Sequence, residues 1–505
     1  MHGSIKKELG DYQTPIEFAE VITDFVKNNI PFVPNIILEP TCGVGNFLER
    51  VSKEFNDAEL IGIDINGEYL EFAKERLNKF SKLKYKLVNK NIFDYDYRDI
   101  SLQDKVLIIG NPPWATNSEL SSGEMNNLPT KINIKNLRGV DAITGLSNFD
   151  ISEHIILDAI KKVKVERFCL ALLCKTNIAT NVIKELRRQN IHIAKATILK
   201  FDAKEVFDVS VDACLLYIEK EENNVANADR FQVYELSQNQ IKYETEMGFI
   251  NNKFVVDCNG YNADIDGNSP FEWRSGVKHD AIKIMELKKN DIGRYVNGFN
   301  CVVDIEDTLL YPLLKSSDLK KYKGESDIRR CVIITQRKPS EETEHIKIVN
   351  PKLWNYLKKH ETILIARKSS IYRNAPKFSI FGIGEYAFSK YKVAISGFYK
   401  EPNFVMLKSE KPIMLDNTCY YLSFNDEKTA MITTIILNSD VVKKFMSSIS
   451  NINSKRPYTK VILSRIDIAK LSKKFDFEYI SEMEKQIFKT SHITSDDYNI
   501  YRNNF

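Results

Sequence analysis

The stretch Val-Leu-Ile-Ile-Gly-Asn-Pro-Pro-Trp at residues 106–114 carries the strongest indication of how this chain folds. Its first five residues form the apolar run of a strand that is buried on both faces of a sheet. The two prolines then impose a stiff, extended turn at the carboxyl end of that strand. The side-chain oxygen of Asn111 and the carbonyl of Pro112 become two acceptors beside the plane of Trp114, which suits a flat ring with an exocyclic amine. The alternative is an ordinary strand end whose Trp114 belongs to the core.

Two strand-and-turn patterns precede this stretch. Residues 36–38 predict a short strand that runs into Glu-Pro-Thr-Cys-Gly-Val-Gly at residues 39–45. Gly43 and Gly45 permit a tight turn into a helix and let a ligand approach the backbone closely. A second strand at 60–63 ends in Asp64, about 20 residues after the glycine turn, where nucleotide-binding folds place an acid on the ribose hydroxyls. The spacing fits a cofactor that carries adenosine.

Three further positions complete the predicted sites. Thr14 and Pro15 predict the N-cap and the first residue of a helix whose amino end can approach an anionic group such as a carboxylate. Asn91 follows a predicted strand at 85–88, where such folds contact an adenine ring. Phe207 precedes a predicted strand at 211–218 and is expected either to face the Asn111 turn or to pack in the core.

Strands that alternate with helices predict an α/β fold with a doubly wound, mostly parallel sheet and ligand sites at the carboxyl ends of its strands. This domain is expected to span residues 1–220. Its residues 115–148, rich in Asn, Ser, Gly and Lys, are expected to form a lid or to be disordered. A polar linker at 221–230 and a mixed α+β domain at 231–505 are expected to follow, with paired strands at 378–386 and 391–397.

The second domain interleaves basic, hydroxyl and aromatic side chains in four segments. Such groups hydrogen-bond the phosphates and base edges of DNA, although each segment alone is also compatible with a solvated surface. The candidate DNA contacts are Arg274, Lys278, Arg337, Arg367, Lys368, Ser369, Tyr372, Arg373, Lys455 and Arg456.

The composition indicates ordinary globular domains. The chain has 505 residues, 43% hydrophobic content and a net charge of +4, which alone does not indicate a nucleic-acid partner. It has no apolar run of about 18 residues and no apolar block near its first residue, so a cytoplasmic protein without membrane association is expected. The eight cysteines form no C-x-x-C pair, so reduced thiols and no metal site are expected.

The order of these motifs resembles the gamma-class N6-adenine DNA methyltransferases of bacterial restriction-modification systems. The resemblance rests on Thr14-Pro15, the glycine turn at 39–45, Gly62-Ile63-Asp64, the Asn-Pro-Pro-Trp turn and Phe207. These motifs cover residues 11 to about 220, and the likeness of the remainder is looser. The resemblance implies a seven-stranded methyltransferase sheet followed by a target recognition domain that binds double-stranded DNA.

By this resemblance the chain transfers a methyl group from S-adenosylmethionine to the N6 amine of a flipped adenine. The implied cofactor-binding residues are Thr14, Glu39, Thr41, Gly43, Gly45, Asp64, Asn91 and Asn111, and the implied catalytic residues are Asn111, Pro112, Pro113, Trp114 and Phe207. Many family members have Asp in place of Asn91 and Tyr in place of Trp114, and stacking tolerates the second exchange. The chain is expected to be a monomer, and a separate cognate restriction endonuclease is a candidate partner.

Other substrates that present an amine beside a planar group stay open at this point. These are the N4 amine of cytosine in DNA, a base in RNA and the glutamine amide of a protein. A catalytically idle subunit that binds the cofactor and recognises DNA is a further alternative. The large carboxyl-terminal module argues against a small protein-modifying enzyme.

Overall fold

The computed structural model describes residues 13–115, 150–221, 228–238, 240–290, 292–325, 328–452 and 454–505. Residues 116–148 of the predicted lid and residues 222–227 of the predicted linker lie outside this description. The chain divides into two compact units, Met1–Asn259 and Gly260–Phe505. None of the described helices combines the length and the apolar character that a membrane span requires.

The first unit is built from strands and helices that alternate along most of its length. In chain order they are α1 (Ile16–Asn29), β1 (Ile36–Glu39), α2 (Asn46–Glu54), β2 (Glu59–Asp64), α3 (Gly67–Leu77), β3 (Tyr85–Asn89), β4 (Lys105–Gly110), α4 (Ile151–Lys162), β5 (Arg167–Lys175), α5 (Thr176–Arg188), β6 (Lys195–Asp202), α6 (Ala203–Phe207), β7 (Asp212–Glu221), β8 (Arg230–Ser237), β9 (Gln240–Ile250) and β10 (Lys253–Val255).

These strands form one sheet in the order β10-β9-β8-β6-β7-β5-β4-β1-β2-β3. The run from β3 to β5 is parallel, and β7 lies antiparallel between β5 and β6. The predicted doubly wound, mostly parallel α/β sheet is therefore confirmed. Within the described residues it has ten strands instead of the seven that the resemblance implied, because β8 to β10 extend it beyond β6. The chain order reverses between β1 and β4, and such a switch point is where open α/β sheets bind their ligands.

Alternate residues of the central strands pack on opposite faces of the sheet. Leu38 and Ile108 belong to one apolar cluster, whereas Ile37 and Leu107 belong to the other. Because side chains of a strand alternate between faces, a strand covered by helices on both sides must be apolar throughout. This is why the continuous apolar run at 106–109 folds as the interior strand β4, whose five residues Val106 to Gly110 are all buried.

The boundary between the two compact units lies after Asn259, beyond the linker that the sequence predicted at 221–230. β8 pairs in parallel with β6, and β9 pairs antiparallel with β8. Phe231, Val233 and Met247 are buried in the core of the first unit. Backbone pairing and this burial join β8 to β10 to the first sheet, although the many exposed side chains of β9 resemble a polar connection in sequence.

The second unit combines two sheets with short helices, which confirms the predicted mixed α+β class. One sheet has the order β11-β19-β16-β17 and the other β13-β12-β15-β14-β18. The elements are β11 (Arg274–Ser275), α7 (Ile282–Met285), β12 (Glu286–Lys289), β13 (Tyr295–Val296), β14 (Leu310–Leu314), α8 (Ser316–Leu319), β15 (Arg330–Ile333), α9 (Ile346–Val349), α10 (Pro351–Lys359), α11 (Glu361–Ile365), β16 (Tyr391–Ser396), β17 (Val405–Lys408), β18 (Met414–Leu415), β19 (Cys419–Phe424), α12 (Glu427–Leu437), α13 (Asp440–Ile449), α14 (Lys460–Leu463), α15 (Ile468–Ser472), α16 (Phe477–Phe488) and α17 (Ser495–Asn503).

The strand predicted at 391–397 is present as β16, but the strand predicted at 378–386 is not. Phe378 and Gly382 have φ angles of +59° and +69°, which break an extended chain. Glu385–Phe388 forms a 3-10 turn instead, and β16 pairs with β17 and β19.

Candidate active site

The glycine turn between β1 and α2 is joined to the end of β2 by hydrogen bonds to one carboxylate. Gly43 and Gly45 have φ angles of +50° and +79°, which other residues adopt only with strain. The Gly43 N–H donates to Asp64 Oδ2 and the Asn66 N–H donates to Asp64 Oδ1, each at 2.8 Å. Asp64 therefore stands at the predicted position beside the glycine turn, and its carboxylate is held by two backbone amides.

Gln13 is part of this turn and was missed by the sequence reasoning. Its Oε1 accepts from the Val44 N–H at 3.3 Å. A side chain at position 43 would meet it, since a Cβ built on Gly43 would lie 2.5 Å from the same oxygen. The only signal in the sequence was its position directly before Thr14 and Pro15.

Thr14 is buried at the site but is not the N-cap of α1, so that prediction is wrong. The helix begins at Ile16 with Pro15 as its N-cap, because Pro15 has an extended ψ of 142°. No side chain caps this helix, and its first backbone bond runs from the Ala19 N–H to the Pro15 carbonyl. The Thr14 carbonyl accepts from Asn46 Nδ2 at 2.7 Å, which ties α1 to the first residue of α2.

Glu39 is a buried acid at the carboxyl end of β1. Its side chain is 3% exposed, and its Oε2 has no hydrogen-bond partner among the described residues. Burial raises the pKa of this carboxyl well above its usual value, the neighbouring Asp64 raises it further, and a backbone N–H at Leu48 opposes the rise. The Glu39 side chain lies against Gly110, where an added Cβ would approach its Cγ to 3.0 Å. The site thus contains a buried carboxyl with a raised pKa beside the turn that begins at Asn111.

The turn after β4 lies next to the turn after β1, because the two strands are neighbours in the sheet. Thr41 Oγ1 donates to the backbone carbonyl of Asn111 at 3.4 Å. Thr41 of the glycine turn and Asn111 are 70 residues apart in sequence, and the fold brings them together.

Trp114 and Phe207 contact each other. Trp114 belongs to the apolar core and Phe207 packs against it, so both have the core packing that the sequence left open. Their ring centroids are 5.3 Å apart with an interplanar angle of 76°, so the edge of one ring contacts the face of the other. Trp114 is 5% exposed, and its Nε1 donates to the Leu173 carbonyl at 3.4 Å. Phe207 is half-buried at the end of α6 and also packs against Phe18 and Phe201. The pair formed by Trp114 and Phe207 therefore packs against apolar core residues.

Lys175 fixes the end of the same turn. Its Nζ donates to the Trp114 carbonyl at 3.0 Å and pairs with Asp150 at 2.9 Å. Asp150 caps α4 by accepting from the Ser152 N–H. The sequence reasoning did not single out this lysine, since nothing local indicates that the last residue of β5 reaches the turn.

Asn91 lies after β3 as predicted, but its side chain has a structural role there. Asn91 Oδ1 accepts from the Phe93 N–H at 3.1 Å and caps a 3-10 turn at Ile92–Asp94. That oxygen is engaged by the backbone, so the expected adenine contact would have to come from the amide nitrogen or from the backbone.

The ten candidate DNA contacts of the second unit fall into separate groups. Lys278, Lys368 and Ser369 line one cavity of about 540 Å³. Arg367 and Tyr372 lie behind this cavity and donate hydrogen bonds to backbone carbonyls of the residues that line it. Arg274 and Arg337 lie over the rings of Tyr386 and Phe388, and the last residues of the set are Arg373, Lys455 and Arg456, which are exposed.

Comparison with known proteins assigns this chain to a family. A model of the methyltransferase domain matches residues 37–119, which contain the glycine turn and the Asn111 turn. The type II methyltransferase M.NspV of Nostoc sp. (strain ATCC 29411 / PCC 7524) is 40% identical over 483 residues, covering 93% of this chain and 98% of that protein. This chain belongs to the type II methyltransferases.

One further relative and one solved structure are also similar to this chain. The type II methyltransferase M.CvrRI of Paramecium bursaria Chlorella virus XZ-6E is 31% identical over 116 residues, which are 22% of this chain and 27% of that protein. The structure of the type IIL restriction-modification enzyme MmeI, solved in complex with DNA, superimposes with a TM-score of 0.52. It covers 99% of this chain and 73% of MmeI at 11% identity, which is a likeness of fold.

The cofactor of this methyltransferase is S-adenosylmethionine, as the sequence predicted. The residues present fit it. The Oε2 of Glu39 is a buried polar atom without a partner among the described residues, and Gly43 and Gly45 hold the turn beside it in the left-handed conformation that a tight strand-to-helix turn requires. Asp64 presents a half-buried carboxylate beside them. Such an arrangement suits a ligand that carries both ribose hydroxyls and a cationic group.

Proposed function

We propose that this methyltransferase modifies the N6 amine of an adenine flipped out of duplex DNA and serves as the modification enzyme of a restriction-modification system. In this proposal unit 1 is the catalytic domain and unit 2 is the target recognition domain. The order of motifs from Thr14 to Phe207 supports the gamma class.

The observation that carries the proposal is the junction of Thr41 and Asn111. The hydrogen bond of 3.4 Å between them joins the glycine turn to the Asn-Pro-Pro-Trp turn at the switch point of the sheet. A methyl donor on the first turn and an amine on the second would then lie within one site. Placing two reactants side by side is the main requirement of a direct transfer.

The protein residues would act by positioning and electrostatics. In the proposal Asn111 and the Pro112 carbonyl accept hydrogen bonds from the amine and favour a more tetrahedral nitrogen, which frees its lone pair. Trp114 stacks on the ring, and Phe207 meets its edge. Bound S-adenosylmethionine supplies an activated methyl group on a sulfonium. The proton of the amine leaves to water, so none of these residues is required as a strong base.

Other amine substrates are distinguished by experiment. Tritiated methyl transfer from S-adenosylmethionine to plasmid DNA, tRNA and a protein extract should place label in DNA alone. Digestion of the DNA to nucleosides should give N6-methyladenosine of the deoxy series and no N4-methylcytosine. Label confined to tRNA or to protein would contradict the proposal, and so would a wild-type protein that binds the cofactor and transfers nothing.

Asn111→Ala tests the assigned amine contact. Loss of one acceptor that acts on the reacting group is expected to lower kcat by about 100-fold or more, while the Kd for S-adenosylmethionine changes little. Asn78→Ala is the matched control, because Asn78 is an exposed residue at the C-cap of α3 whose side chain accepts a hydrogen bond from the Tyr85 hydroxyl, away from the two turns. Near normal turnover by Asn111→Ala would exclude the role.

A further inference from the structure

The second unit contains a cavity of about 540 Å³ in which cations and an exposed ring stand together. It is bordered by Val277–Ile284, by the turn that carries Phe299, and by Lys315, Lys368 and Ser369. This volume is typical of small-ligand sites, so the cavity has room for part of a nucleotide. The basic segments marked by the sequence included Lys278, Lys368 and Ser369 but not Lys283 or Phe299.

Two of the three acids that line the cavity lie beside basic side chains. Asp280 lies 3.5 Å from Lys278 Nζ, and Glu286 lies 2.7 Å from Lys315 Nζ and 3.4 Å from His279 Nε2. The third, Asp416, accepts from the Thr418 N–H at 3.1 Å. The charges of Lys278 and Lys315 are therefore used within the cavity.

Two lysines at the rim are not matched in this way. In the described ranges no carboxylate oxygen lies within 4.0 Å of the Nζ of Lys283 or Lys368. By contrast, Lys278 and Lys315 each have a carboxylate within that distance. Both side chains are exposed. Two unmatched ammonium groups at one opening attract an anion, and a phosphodiester is the anion that nucleic acids present.

Phe299 adds an apolar surface next to these charges. It is 41% exposed, and its ring lies parallel to that of His360 at 5.8 Å with an interplanar angle of 15°. Lys283 Nζ stands 5.4 Å from the ring centroid. The Gly298 N–H donates to the Lys283 carbonyl, and the missing Cβ of Gly298 allows this close approach. A sugar or base beside a phosphate can pack on such a ring.

Arg367 lies behind the cavity and joins the segments that line it by hydrogen bonds. Its guanidinium donates to the carbonyls of Leu364, His279 and Ser379 at 2.7, 3.1 and 2.7 Å and lies 3.7 Å from the Tyr372 ring centroid. The Tyr372 hydroxyl donates to the Lys278 carbonyl at 3.2 Å. Arg367 and Tyr372 are thus positioning residues, and they hold the segment of Lys368 against the segment of Lys278 before any ligand binds.

We infer that this cavity grips the phosphodiester backbone of DNA, with Lys283 and Lys368 on the phosphate and Phe299 against the adjoining nucleoside. The inference rests on the proposed function and adds the place of contact. Because phosphate contacts carry no sequence information, this site would hold the duplex in register while other residues read its bases.

The test is the salt dependence of binding to a fluorescein-labelled DNA duplex of mixed sequence, followed by anisotropy. Replacing Lys283 and Lys368 together by Gln should reduce the slope of log K against log [salt] by about 1.8, since each ammonium group that neutralises a phosphate adds about 0.9 to the slope. Replacing both by Arg should restore the wild-type slope. Phe299→Ala should weaken binding severalfold with an unchanged slope.

Lys444→Gln is the matched control, because Lys444 is an exposed lysine of α13 that does not line the cavity. It should leave the affinity and the slope near those of the wild type. An unchanged slope in the double Gln variant would overturn this inference alone. Failure of the wild-type protein to bind any duplex would overturn both this inference and the proposed function.

Discussion

Glu39 is the buried acid of the proposed cofactor site, and its burial affects its protonation. In the cofactor-free protein, burial favours the neutral carboxyl, and its folded pKa is raised well above the ordinary value of 4.5. The unfolded carboxyl ionises at lower pH than the folded one, so Glu39 lowers stability as pH rises above that ordinary value. A cationic group bound beside it would reverse the preference, since opposite charge favours the carboxylate.

We therefore expect S-adenosylmethionine binding to release a proton from Glu39 at pH values between the ordinary pKa of the carboxyl and its raised pKa in the folded protein. The observed enthalpy of binding should change with the ionisation enthalpy of the buffer in isothermal titration calorimetry. Glu39→Gln should abolish this dependence and weaken binding by about tenfold, which corresponds to about 1.4 kcal/mol for the missing charge-assisted interaction. Glu71→Gln on exposed α3 is the control and should behave as wild type. Proton uptake in the wild type would contradict the role.

Lys392 is a buried lysine of the second unit. Its Nζ donates to the carbonyls of Ser389 and Ile413 at 3.0 and 2.9 Å, and burial lowers its pKa from 10.5 to about 7. The unfolded chain holds this proton more tightly than the folded one. Stability should therefore rise as pH increases from about 7 to 10.5, where the penalty disappears.

Lys392→Met should accordingly stabilise the second unit, and the gain should depend on pH. We expect roughly 2 kcal/mol near pH 7, after the loss of two hydrogen bonds is set against the desolvation of the ammonium group. The gain should shrink as pH approaches the pKa of an ordinary lysine. Urea unfolding at several pH values measures it, with Lys390→Met, at an exposed lysine paired with Glu410, as the control. A gain that is independent of pH would contradict the assignment.

The strand-to-helix turn at 39–46 shows how local backbone requirements and packing combine. Gly45 is the N-cap of α2 in the left-handed region, and a Cβ added there would lie 2.9 Å from the Cβ of Ala73 on α3. The same glycine thus serves both the turn and the contact between two helices. Asp64 then links the turn to β2 through the Gly43 N–H.

Gly45→Ala should destabilise the protein by about 1–3 kcal/mol, because a strained φ adds to a steric contact. Cofactor affinity should fall as well, since α2 and its turn would have to shift. Thermal unfolding with and without S-adenosylmethionine measures both effects. Gly67→Ala is the control, because its nearest neighbour would be an ordinary 3.7 Å away and its φ is not positive. Equal melting temperatures for Gly45→Ala and the wild type would contradict this account.

The division of the chain into two units leads to a prediction about fragments. A fragment of residues 1–259 retains β8 to β10 and should fold cooperatively and bind S-adenosylmethionine. A fragment of residues 1–229 loses buried Phe231, Val233 and Met247 and exposes the paired edge of β6, so it should melt at lower temperature or aggregate. Circular dichroism and calorimetry distinguish the two. Equal stability would show that the sheet does not need its last three strands.

The doubly wound sheet could be predicted from the order of residues, and the cofactor was implied by the family that the motifs resemble. Buried parallel strands are continuously apolar, and tight turns demand Gly, Pro or Asn at particular places, so both leave local signals. Residues 106–114 and 39–45 carried those signals, and the structure placed them at neighbouring strand ends.

Only the folded chain shows which residues far apart in sequence contact each other and how their surroundings shift their pKa values. The position of Gln13 on the glycine turn, the edge-to-face packing of Trp114 on Phe207 and the joining of β8 to β6 depend on contacts between residues far apart in sequence. The raised pKa of Glu39 follows from burial, and the proximity of Lys283 to Phe299 follows from a turn that no motif marks. Such properties arise from the surroundings of a side chain, and a linear pattern of residue types does not contain them.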